Sequence, residues 1–462
     1  LERAAQSGCP RVKYQEEKFS MNKKLMALAV AGAVTAPGLA VAQVGGSPGV
    51  SLYGRLDTAV MIQKFSNEGT GTVPDLKKND IFSPGNALGF RGREDLGGGT
   101  AAWFQLETGV WPDGRLDGAA TSGQHFGGRN SAVGFSSAGG DVLFGIWDSP
   151  YKVAYGTANL VNSGGFASSG IIMGNGDTTG ALPNAQCTNT VSNGTGTVAV
   201  AANGVCVTEA TGNGTSWSRR NNNSIQYWSP VFSGVQFRLG TSLANYQSAD
   251  NAPTASGVQK PKYYSGNVTY ARGPLALAAG YESHEGFRPG AAGGSANPKD
   301  NAFQIGGKWD FGLGQVGVGY ESLKYESNNA AGDNGMKVPS FVVNGRVSAG
   351  PGAVWASVSA TAGGKDCTGT TVIGNSACGS SGKARMSVVG YDYVMSKRTK
   401  MFVAYAKIDN GFSGTTGTNY YYIAGPAAQG GGPVANVGRG NSGNLAAGTD
   451  VTTVSLGMQH TF

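Results

Sequence analysis

From Val50 onward, apolar side chains return at every second position in run after run of strand length. Val50, Leu52, Leu56, Val60 and Ile62 share one face of Val50–Ile62, and Ser51, Tyr53, Arg55 and Asp57 share the other. Ala87–Glu94 sets Leu88 and Phe90 against Arg91 and Arg93, and Thr100–Val110 sets Ala102, Phe104 and Leu106 against Gln105 and Glu107. The last stretch puts Val454, Leu456, Met458, His460 and Phe462 on one face and Thr453, Ser455, Gly457, Gln459 and Thr461 on the other. A period of two means β-strands with one greasy and one wet face. Two folds produce it: a soluble sandwich with solvated outer faces, or a membrane barrel with lipid outside and water inside.

The connections separate the two. Glycine-rich turns such as Asp95–Gly99, Ser136–Gly140, Arg272–Pro274, Phe311–Gly314 and Ser348–Gly352 close one end of successive hairpins. Long polar stretches join the other ends: Lys64–Asn86, Trp111–Gly128, Asp148–Trp217, Gln247–Lys262, His284–Asn301, Lys324–Pro339, Thr361–Arg385 and Asp409–Thr449. Strict alternation of short and long connections gives two rims in different surroundings, which a sandwich does not require. The reading is all-β: a transmembrane antiparallel β-barrel of about 16 strands, short turns toward the periplasm and long loops outside. Asp148–Trp217, the third long loop, is too extended for an idle connection. Folded into the lumen it narrows a wide channel; the other reading is an external loop.

Glycine is abundant, 77 residues, yet shows no collagen period, and no fixed short repeat marks a solenoid. Met21-Asn-Lys-Lys24, the apolar run Leu25–Val34 and Ala40-Val41-Ala42 have the order of a secretory signal peptide cut after Ala42. Three segments follow: 1–20, an upstream extension that fits no targeting pattern; 21–42, the signal peptide; 43–462, the barrel. That last segment holds 29 Lys and Arg against 25 Asp and Glu, a mild excess without basic clusters, so no nucleic-acid partner is expected. Its four cysteines sit in polar stretches of an exported chain, so Cys187–Cys206 and Cys367–Cys378 are expected to be disulfides, each worth roughly 3 kcal/mol by loop closure. His125, His284 and His460 are scattered and CxxC is absent. Neither a metal site, a cofactor nor an enzymatic constellation is expected.

Several segments carry a resemblance. Ser51-Leu-Tyr-Gly54, Leu88-Gly-Phe-Arg-Gly-Arg-Glu-Asp-Leu-Gly97, Trp103-Phe-Gln-Leu-Glu107, Arg129-Asn-Ser-Ala-Val-Gly134, Gly145-Ile-Trp-Asp-Ser-Pro150, Asn223-Ser-Ile-Gln-Tyr-Trp-Ser-Pro230 and Ser396-Lys-Arg-Thr399 match a pattern. With the terminal strand, they make Gln43–Phe462 resemble a Gram-negative general porin of the neisserial/β-proteobacterial type. The resemblance implies a homotrimer of 16-stranded barrels in the outer membrane, each with its third loop in the pore, passing small hydrophilic solutes passively. It also implies contact with outer-membrane lipid and lipopolysaccharide, and a barrel-assembly machinery that reads terminal Phe462. Two departures reduce the positive charge it assigns to the pore: Ala87 and Ile146 stand where the family commonly carries Arg.

Parity sorts the wall independently. Arg55, Asp57, Arg91, Arg93, Glu107, Arg238, Lys308, Asp310, Glu321 and Arg346 fall on the lumen face, and Arg220 joins them by sharing register with Ser224 and Gln226. The candidate constriction is Arg55, Arg91, Arg93 and Arg220 on the wall with Asp148, Asp177 and Glu209 on the third loop. Rings of this kind tune ion selectivity; the plainer reading is that such charges pair as solvated lumen groups. The expected function is a general diffusion porin with weak anion preference. A channel specific for a small anion or organic acid, and a structural or adhesin barrel, are the alternatives.

Overall fold

The computed structural model describes residues 49–67, 76–83, 86–110, 112, 127–161, 173, 189–192, 197–200, 217, 220–242, 262–285, 299–329, 332–368, 372–373, 376–413, 416–417 and 449–462. The two expected N-terminal segments, Cys187, Cys206, Asp177 and Glu209 lie outside them.

Sixteen antiparallel strands make the wall: β1 (Gly49–Asn67), β2 (Ala87–Gly97), β3 (Thr100–Thr108), β4 (Ser131–Ser137), β5 (Gly140–Asp148), β6 (Arg220–Trp228), β7 (Val235–Ser242), β8 (Lys262–Arg272), β9 (Leu275–Glu285), β10 (Lys299–Asp310), β11 (Gly314–Asn329), β12 (Gly332–Ala349), β13 (Gly352–Ala362), β14 (Lys383–Val394), β15 (Thr399–Asn410) and β16 (Thr449–Thr461). Each pairs with its sequence neighbours, and β16 returns to β1, from Arg55 opposite Thr461 to Asn67 opposite Thr449. Closure pairs each of these sixteen strands on both sides, the condition for strands in lipid. Two shorter strands extend the sheet: Leu76–Phe82 on the far half of β1, and Lys365–Thr368 on β12. The β2–β3 turn runs through Gly97, Gly98 and Gly99 at φ +82°, +61° and +77°, a conformation that side chains resist.

Alternation sets the faces. On β16 Val454, Leu456 and Met458 are exposed, while Thr453 and Ser455 are buried. On β10 Phe303, Ile305 and Trp309 are exposed and Gln304 is buried. The expected loop Lys324–Pro339 is instead a continued ladder, Lys324 opposite Lys337 through Asn329 opposite Gly332. A second departure lies on the inner register of β13–β16 and β1. There Met61, Phe65, Trp355, Met386, Val388, Phe402, Ile408 and Val451 form a buried apolar cluster, joined by Phe82 and Val161. Part of the inner face is therefore greasy.

Helix α1 (Pro150–Ala158) begins the third long connection. Ser149 caps it, accepting from the Lys152 N–H at 3.0 Å, with proline at the first helical position. The helix is bonded to polar-register side chains of the wall. Asn267 on β8 donates to the Pro150 carbonyl at 2.5 Å, Ser265 accepts from the Tyr151 N–H at 2.9 Å, and Asn344 on β12 donates to the Ala158 carbonyl at 2.9 Å.

Candidate functional site

Strands β3–β6 are short, and their long-loop ends stop within the height of the wall. Glu107 stands opposite Gly89, and Gly89 opposite Tyr53, only four residues into β1, which continues to Asn67. Charged side chains gather at this level. The Arg129 guanidinium meets Glu107 at 2.5 Å, and the Tyr53 hydroxyl donates to the other Glu107 oxygen at 3.1 Å. Arg91 lies over the Tyr53 ring, 5.1 Å from its centroid.

Beside them Asp148 holds two cations, Arg220 at 3.3 Å and Lys152 of α1 at 3.2 Å. Asn130 organises the group: its side-chain N–H donates to Asp148 at 3.0 Å, and its carbonyl oxygen accepts from Arg220 Nε and from the Asp148 backbone N–H, both at 3.0 Å. Gln226 fixes the strand end by donating to the Asp148 carbonyl at 3.0 Å. Arg129, Arg220, Lys152 and Asp148 each keep between 21% and 26% of their side-chain surface accessible, so they are held yet reachable. Burial pushes the Arg129 guanidinium below its ordinary value; nearby Arg220 adds to this and Glu107 opposes it. A guanidinium stays charged even so, and two of them within electrostatic reach leave the group with more cations than carboxylates.

Of the sequence-derived candidates, Arg220, Asp148 and Arg91 come together here. Arg55 lies two residues along β1 from Tyr53, opposite Ala87 and Thr461. Arg93 points toward the short-turn end, donating to Ser136 at 3.1 Å. Arg220 reaches the group through a bulge: Gly145 faces Ser224 but Trp147 faces Asn221, with Asn223 at φ +49°. Counting by twos from Ser224 was therefore not what determines its position. Two members, Lys152 and Arg129, do not follow from the strand alternation. Lys152 was signalled by Ser149-Pro150, a helix start that puts Asp148 and Lys152 four residues apart on neighbouring turns. Arg129 precedes its strand, where alternation carries no information.

A second network lies nearer the short turns. Buried Asp392 accepts from Arg346 at 2.8 Å, Lys400 at 3.3 Å and the Trp355 indole at 3.0 Å, and Gln459 donates to Asp57 at 3.0 Å. These charges pair among themselves. Cys367 and Cys378 form a disulfide. Phe462 exchanges two backbone hydrogen bonds with Gly54, each 3.1 Å.

Comparison with known proteins adds three findings. A family model described as Gram-negative porin matches residues 27–413. Outer membrane porin protein 32 of Delftia acidovorans is 26% identical over 442 residues, covering 96% of this chain and all of that protein; the major outer membrane protein P.IB of Neisseria gonorrhoeae is 31% identical over 32% of the chain and 38% of its own length. Among solved structures, an anion-selective porin from Comamonas acidovorans superposes with a TM-score of 0.61 at 22% identity, over 90% of this chain and all of that one.

Proposed function

The chain belongs to the Gram-negative porin family, an outer-membrane channel, and from that premise we propose that it is a general diffusion porin with weak anion preference, set by the charged group at the ends of β3–β6. The observation that carries this is the imbalance there: Arg129, Arg220, Lys152 and Arg91 against Glu107 and Asp148. Fixed charge in a narrow aqueous passage raises the local concentration of counter-ions. The third connection narrows the passage by lying along the polar register of β8–β12; the bonds of α1 to Ser265, Asn267 and Asn344 support that reading. Arg93 flanks the group on its short-turn side, and Arg55 lies beyond Tyr53 toward the long-loop end of β1. Asp177 and Glu209, farther along the same connection, are proposed to face it.

The working unit is proposed to be a homotrimer in outer-membrane lipid and lipopolysaccharide, matured by cleavage after Ala42 and inserted by a barrel-assembly machinery that reads Phe462. The reading assigns no catalysis to the chain. Reversal potentials in a KCl gradient, together with liposome swelling in solutes of rising size, test it. Anion preference and a simple size cutoff are the expected results. Saturable uptake of one solute would make this a substrate-specific channel, cation selectivity would place the constriction on other residues, and absence of swelling would leave a structural barrel.

A further inference from the structure

The two limbs of the third connection, 66 residues apart in sequence, meet on one arc of the wall. On the outgoing limb, the Tyr151 hydroxyl donates to Glu321 at 3.1 Å and its carbonyl accepts from Gln304. On the returning limb, the Trp217 indole donates to the Tyr325 hydroxyl at 3.0 Å. Its ring stacks on the His284 imidazole with centroids 3.9 Å apart and planes 13° from parallel. His284 is itself held, its Nε2 lying 2.7 Å from Glu282, whose other oxygen accepts from Tyr263 at 3.1 Å. The rings of Tyr151 and Trp217 are 6.2 Å apart. Both sit in one buried cluster with Leu323, Tyr325, Met336 and Val338, and Cys378 of the disulfide packs against it.

Trp217, His284 and Glu282 have no solvent exposure at all. Burying an imidazole and a carboxylate is costly unless their partners are fixed, and an apolar pair would close the wall with less penalty. What the polar pair adds is direction: Glu282 and Tyr263 hold the imidazole plane at the angle on which Trp217 stacks. We propose that His284, oriented by Glu282, is a positioning residue that pins the returning limb through Trp217, so that the third connection is clamped at both ends and holds one conducting width. This rests on the reading that the connection narrows the pore. The clamp fixes the aperture without touching permeating ions.

The test uses the full-length channel refolded in planar bilayers, with heat-modifiable barrel yield measured alongside. Trp217→Ala should leave the yield near wild type while transitions to other conductance levels become about tenfold more frequent, the scale set by losing one stacked contact and one hydrogen bond. Trp217→Phe, which keeps a ring on His284, should recover most of the steady trace. His284→Gln should fall between them. Wild-type conductance and noise in Trp217→Ala overturns the proposal, as does a loss confined to yield. Should Trp217→Ala not fold, Tyr325→Phe removes the hydroxyl that accepts from Trp217 and decides the matter by the same readout, a steady trace counting against the clamp. Deleting residues 162–216 separates this from the reading beneath it. Unchanged conductance after deletion refutes the narrowing itself, whereas raised conductance together with a silent Trp217→Ala refutes the clamp alone.

Discussion

Arg220→Ala removes one cation from the candidate constriction and leaves Asp148 with Lys152 and Asn130. An ion passing at about 6 Å from the guanidinium in water feels about 0.7 kcal/mol, reduced to about 0.4 kcal/mol by screening at 0.1 M salt. The change acts with opposite sign on chloride and potassium, so their permeability ratio should fall about three- to fourfold. In 1 M KCl the screening length shrinks to about 3 Å and the same substitution should change the ratio by less than about 1.5-fold. Reversal potentials across a KCl gradient at both concentrations measure this directly, and unheated electrophoresis confirms that the barrel is intact. An unchanged potential at 0.1 M, or a change equally large in 1 M, would refute the argument: the first means that Arg220 does not reach the ion path, the second that the substitution acts through the width of the pore.

Asp148→Asn is the counterpart: with its carboxylate neutralised, Arg220 and Lys152 lose their shared anion, and chloride preference should rise by a similar factor in the same assay. Deleting Phe462 removes the residue whose backbone closes on Gly54 and whose ring meets His460 at 6.5 Å; the yield of folded barrel should drop severalfold, read as the heat-modifiable band. Mass spectrometry of non-reduced peptides should find Cys367 joined to Cys378 and Cys187 to Cys206, and free thiols or crossed pairs would contradict the second assignment. N-terminal sequencing of outer-membrane material should begin at Gln43; recovery of residues 1–20 would count against the cleavage site.

The strands could be read from the sequence because each faces lipid on one side and water on the other, a contrast that period two records. Where the contrast disappears, so does the signal. Lys324–Pro339 sets only a few apolar residues among many polar ones and glycines, so its ladder has the composition of a loop. On β15 the reverse occurs: Met401 to Ala406 is apolar or small at every position but the Tyr405 hydroxyl, and its inner members Phe402, Ala404 and Ala406 are buried. Parity alone would not reveal that part of the inner face is greasy. The charged group was half legible. Arg91 and Glu107 alternate with Phe90 and Leu106, but Arg129 stands before its strand, Lys152 lies on a helix, and Arg220 lies beyond a bulge. All three positions are fixed by tertiary geometry, to which a two-residue period is blind.

That inequality around the inner face bears on how the channel discriminates. The apolar cluster on β13–β16 and β1 offers no fixed charge to a permeating ion, and Val161, just past α1, packs into it. Asp392 and its partners on the same side are paired among themselves. The arc from β2 to β6 gathers the cations at the ends of β3–β6, with Arg129, Arg220 and Lys152 still partly accessible. On the proposed reading an ion in the passage meets fixed charge chiefly from that arc. Discrimination then depends on which side chains remain unneutralised on one arc. Asp148 is shared between a wall arginine and a lysine of α1: its charge both offsets Arg220 and ties the first turn of α1 to the end of β5. On the proposed reading selectivity and aperture are coupled through one carboxylate, and a substitution there changes the field and the fit together, whereas Arg220→Ala leaves the Asp148–Lys152 tie in place.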